Sequence, residues 1–298
     1  MTIAWVFPGQ GSQKLGMAEG VINLPGAKER FELASDLLGR DLLKICLEEK
    51  EGISPLNDLN DTRNTQPALF VVESLLVDEL KRQGREASFL AGHSLGEIVA
   101  LYAANVFDVE IALNLLKTRS ELMAASEDGA MTAVLGFDRN QLDDLVLSTE
   151  GVVIANDNSS SQVVLSGTPE GVKIVSSQLK CKRVIPLQVS GAFHSPLMQK
   201  ASQFFDQELD KVNFRDANFP ILSNSDPMPS RRGSLLKQKL KKQMITGVRW
   251  RETMEIFVNE GISTMVEIGP GNVLSGLAKR SIKGVGINQI GSSSDLGI

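Results

Sequence analysis

Residues 90–101, "LAGHSLGEIVAL", set a serine between glycines and beside one of only two histidines in a chain of 298 residues. Gly92, Ser94 and Gly96 match G-x-S-x-G, the pattern of a nucleophile elbow, where a serine sits on a tight turn between strand and helix. A serine hydroxyl is weakly reactive alone and needs a base. His93 adjoins Ser94, and neighbouring side chains diverge on a sharp turn, so His93 is poorly placed to take the Ser94 proton. By elimination the base is His194, in "VSGAFHSPLM". It follows the last strand of a predicted insertion, and such junctions are where clefts form. Acyl transfer also needs donors for an oxyanion. At an elbow one is the backbone N–H after the nucleophile, here Leu95. "FPGQGSQ" (7–13) offers a second, the N–H of Gln10, because Gly9 and Gly11 let the backbone approach a ligand.

Arg119 is the remaining residue with chemistry to offer. At 100° per residue, a helix from residue 109 puts Glu110, Asn114, Lys117 and Glu121 on one side. Arg119 falls in the opposite arc, among Val109, Ala112, Leu113, Leu116 and Met123. A buried arginine is costly unless paired. An internal salt bridge or a stem reaching the surface would account for it. So would an anionic substrate, since a guanidinium matches a carboxylate in a two-pronged fit.

These residues need a scaffold. "IAWVF" (3–7) reads as a buried strand, 66–84 as a long helix with Pro67 in its first turn, and 88–94 as a short apolar strand. Helix patterns follow at 95–107 and 109–126, the second capped by Asp108. The alternation indicates an α/β core. Near Glu127 the character changes. Strands at 130–137, 151–156, 162–167 and 182–189 and helices at 138–148 and 168–181 give β-α-β-β-α-β, the ferredoxin-like order. "DNSSS" (157–161) reads as the turn between the middle strands. Residues 127–191 are therefore expected to form a small subdomain inserted into a large one, 1–126 plus 192–298. Residues 264–280 read as strand, Gly-Pro-Gly turn and helix, and "GSSSDLGI" at the end reads as a loose tail.

Composition narrows the function classes. A hydrophobic fraction of 42% and a charged fraction of 22% are those of a globular protein. The net charge of -5 gives no general attraction to nucleic acid. Cys46 and Cys181 lie far apart, which fits a reducing compartment and no disulfide framework. Two histidines and no C-x-x-C argue against structural zinc. No apolar run approaches the length needed to cross a bilayer, and the N-terminus reads as a first strand, not a signal peptide. A cytoplasmic protein, bound to neither membrane nor nucleic acid and needing no metal, is expected.

"FPGQGSQ", "QPAL", "GHSLGE", "KTRSELM", "GAFHS", "KQM…VRW" and "EIGPG", in this order, resemble the malonyl-CoA:acyl carrier protein transacylases of fatty-acid synthesis. The resemblance runs from residue 6 to about 280 and implies an α/β-hydrolase-like large subdomain with a ferredoxin-like small one, in a monomer. It implies that Ser94 is malonylated, His194 is its base, Arg119 holds the malonyl carboxylate, and Gln10 and Leu95 give the oxyanion N–H groups. It further implies that the backbone carbonyl of Gln243 orients His194, and that malonyl-CoA and acyl carrier protein are the substrates with no cofactor of the enzyme's own. Leu95 and Phe193 are similar to malonyl-selective members. The chain departs from the pattern at Ser160-Ser161, where Pro-Gly is usual, and at Gly247, where proline is usual.

Two rivals stand beside this reading. A serine hydrolase of this fold usually carries its triad acid between serine and histidine, where Asp128, Asp138, Asp143, Asp144 and Asp157 are available. A binding relative would use the pocket without chemistry. Separately, residues 231–251 hold Arg231, Arg232, Lys237, Lys239, Lys241, Lys242, Arg249 and Arg251 and no acid. That run is either a solvated helix face or a dock for the acidic carrier protein.

Overall fold

The apolar runs become strands, and their alternation decides what each face buries. A computed structural model describes residues 2–48, 54–126, 129–189 and 191–297. In chain order its strands are β1 (Ile3–Phe7), β2 (Phe89–Gly92), β3 (Ala130–Phe137), β4 (Val152–Ser159), β5 (Gln162–Gly167), β6 (Cys181–Pro186), β7 (Ile221–Leu222), β8 (Thr264–Ile268) and β9 (Gly286–Ile290). Five of them form a sheet of order β7-β2-β1-β8-β9, parallel throughout. Trp5, Phe7, Leu90, Val266 and Ile268 pack into one core layer, and Ala4, Val6, Ala91, Leu222 and Met265 into the other. That two-residue period, apolar on both faces, is what a parallel sheet covered by helices requires.

The longest helix crosses the first core layer. It runs Thr62–Arg82, so it begins earlier than the apolar pattern predicts, and Pro67 lies inside it instead of in its first turn. Of the extra residues, Thr62, Asn64 and Thr65 are polar yet buried. Thr65 donates to the Leu59 and Asp61 carbonyls, and Asn64 donates to those of Leu56 and Asp58. Satisfied this way, they extend the helix without an apolar signature.

β3 to β6 make a second sheet, of order β4-β5-β3-β6 and antiparallel throughout. Helices Arg139–Ser148 and Pro169–Gln178, capped by Asp138 and Thr168, cover one of its faces. Val134, Val163 and Leu165 pack there against Leu142, Val172 and Val175. Met131, Ala133 and Val164 face the other way and join the core of the parallel sheet.

Two expectations fail here for identifiable reasons. "DNSSS" is not a turn as a whole, because β4 runs to Ser159 and only Ser160 and Ser161 separate it from β5. Its polar residues are strand residues bonded across to the larger unit. Asp157 N–H donates to the Val248 carbonyl, and its carboxylate pairs with Arg139 and Arg251. Residues 291–297 are also not a loose tail. Ser293–Leu296 forms a short 3-10 turn with Leu296 buried, and Ser293 N–H donates to the Gly20 carbonyl.

Candidate active site

The Ser94 turn is tight enough to dictate its glycines. β2 ends at Gly92, a helix starts at Gly96, and Ser94 between them has φ 54°. A Cβ on Gly92 would stand 1.9 Å from the Gly96 carbonyl oxygen, and one on Gly96 would stand 2.2 Å from that of Phe7. A non-glycine residue in this left-handed region is strained, and such strain collects at functional turns.

His194 meets the serine from the far side of the chain. Its Nε2 lies 2.8 Å from Ser94 Oγ, and its Nδ1 lies 2.8 Å from the Gln243 backbone oxygen. A carbonyl can only accept, so Nδ1 carries the proton and Nε2 is left to accept from the Ser94 hydroxyl. The ring is buried. Burial first, then the Arg119 charge, lower its pKa to about 3, against the opposing pull of the Gln243 bond. The imidazole is therefore neutral at neutral pH, the form a general base needs. His93 turns away, with Nε2 2.9 Å from Asn158 Oδ1 and its ring edge-on to Trp250.

Among the described residues no carboxylate hydrogen-bonds His194. Asp138 caps a helix, Asp143 pairs with Arg139, Asp157 pairs with Arg139 and Arg251, and Asp144 is exposed. Asp128 lies outside the described residues.

Arg119 is 1% exposed and forms no ion pair among the described residues. Neutral groups hold it. Nη1 donates to Gln66 Oε1 at 2.5 Å, and Nη2 donates to Gln243 Oε1 at 2.9 Å and to Ser94 Oγ at 3.1 Å. Its Nε has no partner among the described residues. Burial lowers its pKa to about 10, with the Glu97 charge opposing, so it stays cationic at neutral pH. A desolvated cation held by amides beside the serine is a receptor for an anion.

The cleft over Ser94 is lined by Met131, Val164 and Leu187 on one side and by Phe193, Leu274 and Leu277 on the other. Gln10 and Leu95 border it, and neither backbone N–H has an acceptor among the described residues. Gln10 Oε1 accepts from Thr62 Oγ1, which fixes that side chain away from its own N–H.

Three residues escaped the sequence reading. Gln66 and the Gln243 side chain hold Arg119. Glu97, fully buried, accepts from Gln243 Nε2 at 2.7 Å and from Asn224 N–H at 3.1 Å. Asn224 bonds both sides of the Ser94 turn. The sequence signal available for Glu97 was an acid on a helix otherwise made of "IVALYA".

The basic run divides. Lys239 is 5% exposed and spends its ammonium on Asp226 and on the Asp226 and Met228 carbonyls, so it cannot present charge to a partner. Lys241 pairs with Asp210, and Lys237 donates to the Val212 carbonyl. Arg249 and Arg251 pair with Glu252 and with Asp157 and Glu255. Arg231, Arg232 and Lys242 are exposed and form no ion pair among the described residues.

The titration of the pair sets an expected pH profile. A reaction in which His194 is the base and Arg119 holds an anion would need His194 neutral and Arg119 charged. The rate should therefore stay flat from about pH 5 to about pH 8, falling in acid as His194 protonates near 3 and in alkali as Arg119 deprotonates near 10. Stopped-flow kcat/KM for CoA release across that range checks it. An acid limb at the ordinary histidine value would mean that burial and Arg119 do not lower the His194 pKa in the working protein.

The chain is similar to known proteins along nearly its whole length. The acyl transferase domain model matches residues 4–291. A malonyl CoA-acyl carrier protein transacylase of Synechocystis sp. is 45% identical over 99% of each chain. The crystal structure of the Synechocystis malonyl-CoA:ACP transacylase superposes with a TM-score of 0.94 over 100% of this chain and 99% of that one. A structure of a type II PKS acyl-carrier protein in complex with its malonyl-transacylase matches at TM-score 0.90 and 34% identity, over 99% and 98% of the two chains. Among the described residues no helix is long and apolar enough to cross a membrane, and no three His, Cys, Asp or Glu side chains are grouped to hold a metal ion.

Proposed function

The chain belongs to the acyl transferase domain family, among its malonyl-CoA:acyl carrier protein transacylases, and on that footing we propose that Ser94 carries the malonyl group between the two substrates in a ping-pong reaction. The observation that carries this reading is Ser94 Oγ held at once by His194 Nε2 and by the Arg119 guanidinium. His194 takes the Ser94 proton as Oγ attacks the malonyl thioester. The oxyanion that forms accepts from the N–H groups of Gln10 and Leu95, which are free in the resting site. The tetrahedral adduct collapses, the C–S bond breaks, and His194 returns its proton to the departing CoA thiolate. A malonyl-serine ester remains, its free carboxylate on Arg119. The carrier protein's phosphopantetheine thiol then gives its proton to His194 and attacks the ester. Collapse moves the malonyl group to sulfur and restores the Ser94 hydroxyl. The Gln243 carbonyl keeps the His194 tautomer correct throughout, in the place a triad acid would take. The enzyme supplies no cofactor of its own, since phosphopantetheine arrives with the substrates.

The same reading covers architecture and setting. The β-α-β-β-α-β order and the β4-β5-β3-β6 sheet support a ferredoxin-like subdomain, residues 127–191, set into an α/β-hydrolase-like subdomain of residues 1–126 and 192–298. The free Cys46 and Cys181 fit a protein working in the reducing cytoplasm. An exchange experiment tests the ping-pong order. Labelled CoA should enter malonyl-CoA in the absence of any carrier protein. A reaction that needs both substrates bound together gives no such exchange.

An acidic carrier protein would meet Arg231, Arg232 and Lys242, the cations of the basic run with no internal partner. Charge reversal there should slow transfer from malonyl-enzyme to carrier by about tenfold at low salt and flatten its salt dependence, because complementary rim charge acts mainly on encounter. Loading from malonyl-CoA should be unchanged. Equal slowing of both half-reactions would remove the run from carrier docking. Reversal at Lys239 should instead destabilise the fold, since a buried carboxylate there would face the Asp226 carboxylate and the Asp226 and Met228 carbonyls.

A further inference from the structure

The parallel ladder between β2 and β7 stops at Ala91 and Leu222, just short of the serine. Asn224 takes over from it. Its Nδ2 donates to the Gly92 carbonyl at 2.6 Å, and its Oδ1 accepts from the Ser94 N–H at 2.7 Å. One side-chain amide thus bridges the two backbone groups that flank His93. The bridge is itself anchored, for Asn224 N–H donates to Glu97 Oε2 at 3.1 Å, and Glu97 N–H donates to the Ser94 carbonyl at 3.1 Å. Asn224 is 2% exposed, so water cannot replace these bonds. Ser94 sits at φ 54°, a conformation that persists only where its surroundings enforce it.

We propose that Asn224 is a positioning residue for acyl transfer, a clamp that holds the strained elbow and so fixes the direction of Ser94 Oγ toward His194. Resting on the acyl-serine reading, it adds a residue that touches neither substrate nor the reacting atoms. The clamp also commits the Ser94 N–H, which leaves Leu95 and Gln10 as the oxyanion donors. Its effect is on a step common to every acyl group, unlike that of Arg119.

Single-turnover acylation by malonyl-CoA and by acetyl-CoA tests this, because a rate constant for loaded enzyme does not depend on how much of the sample is folded. Asn224→Ala should lower both rate constants by about 100-fold, the scale of a misplaced reacting group, with little change in KM. Asn224→Asp gives a second, independent signature. An ionised Asp at this position would aim a carboxylate oxygen at the Gly92 carbonyl, beside the Glu97 carboxylate, with His93, Arg119, His194 and Arg249 the other ionisable groups nearby. Protonation would restore the lost donor. Its acylation rate should therefore rise about tenfold as pH falls from about 8 to about 5, where the unmodified enzyme is flat. An Asn224→Ala rate within threefold of the unmodified enzyme would overturn the proposal, as would a loss confined to malonyl-CoA. If Asn224→Ala does not fold, a pH-independent rate in Asn224→Asp overturns it. If the unmodified enzyme itself forms no malonyl adduct, the acyl-serine reading has failed, and the clamp with it.

Discussion

Alanine at Ser94 should abolish malonyl transfer, and alanine at His194 should lower kcat by about 10⁴-fold, with both variants folded. Ser94 Oγ is the atom shared by His194 and Arg119, and the cleft over it supplies no second nucleophile among its lining residues. Without His194 the hydroxyl must ionise unaided or lose its proton to water, and the CoA thiolate must leave without its acid. The residual rate would come from Gln10, Leu95 and Arg119, which bind and stabilise charge without moving a proton. Transfer to carrier protein, followed by separating free and malonylated carrier, measures the loss. Turnover within tenfold of normal in either variant would refute the assignment of that residue.

Arg119→Ala should reverse the order of preference between substrates. The unmodified site presents a buried guanidinium whose Nε has no partner among the described residues, so acetyl-CoA would leave a desolvated charge unanswered and malonyl-CoA would satisfy it. A site built to pair a buried group rejects the analogue that lacks its partner. Removing the guanidinium removes that discrimination and would leave the malonyl carboxylate facing the Gln66 and Gln243 amide oxygens, with Glu97 behind them. We expect kcat/KM for malonyl-CoA to fall by about 10³-fold and the malonyl-to-acetyl ratio to fall by at least about 100-fold. Folding should survive, because burial already raises the Glu97 pKa and protonation can neutralise it once its cation is gone. An unchanged ratio would make Arg119 a structural residue.

The rare residue types were legible because each had few places to be. Two histidines reduced the choice of base to one, and an arginine in an apolar arc could be singled out by counting helix turns. The glycines at 92 and 96 could be recognised by motif, although only the backbone clashes at 1.9 Å and 2.2 Å explain why nothing larger fits. Gln66 and Asn224 could not be found this way. Their roles depend on partners far off in sequence, as with the Ser94–Asn224 bond, and buried amides leave no period in a hydropathy pattern. The same blindness misread "DNSSS" as a turn and began the Thr62 helix too late. In both places polar residues bond inward where composition alone points them to solvent. Lys239 shows the converse, a charge in a basic run that turns out to be a buried internal brace.

The central claim is a covalent malonyl ester on Ser94, and intact-mass analysis with peptide mapping addresses it directly. Protein mixed with malonyl-CoA and no carrier protein should gain the mass of one malonyl group, located on the peptide that contains Ser94. The Ser94→Ala variant should gain nothing, and adding carrier protein should discharge the ester as malonyl-carrier appears. A protein that remains unmodified while malonyl transfer to the carrier proceeds, or that carries the malonyl group on another residue, would contradict the account.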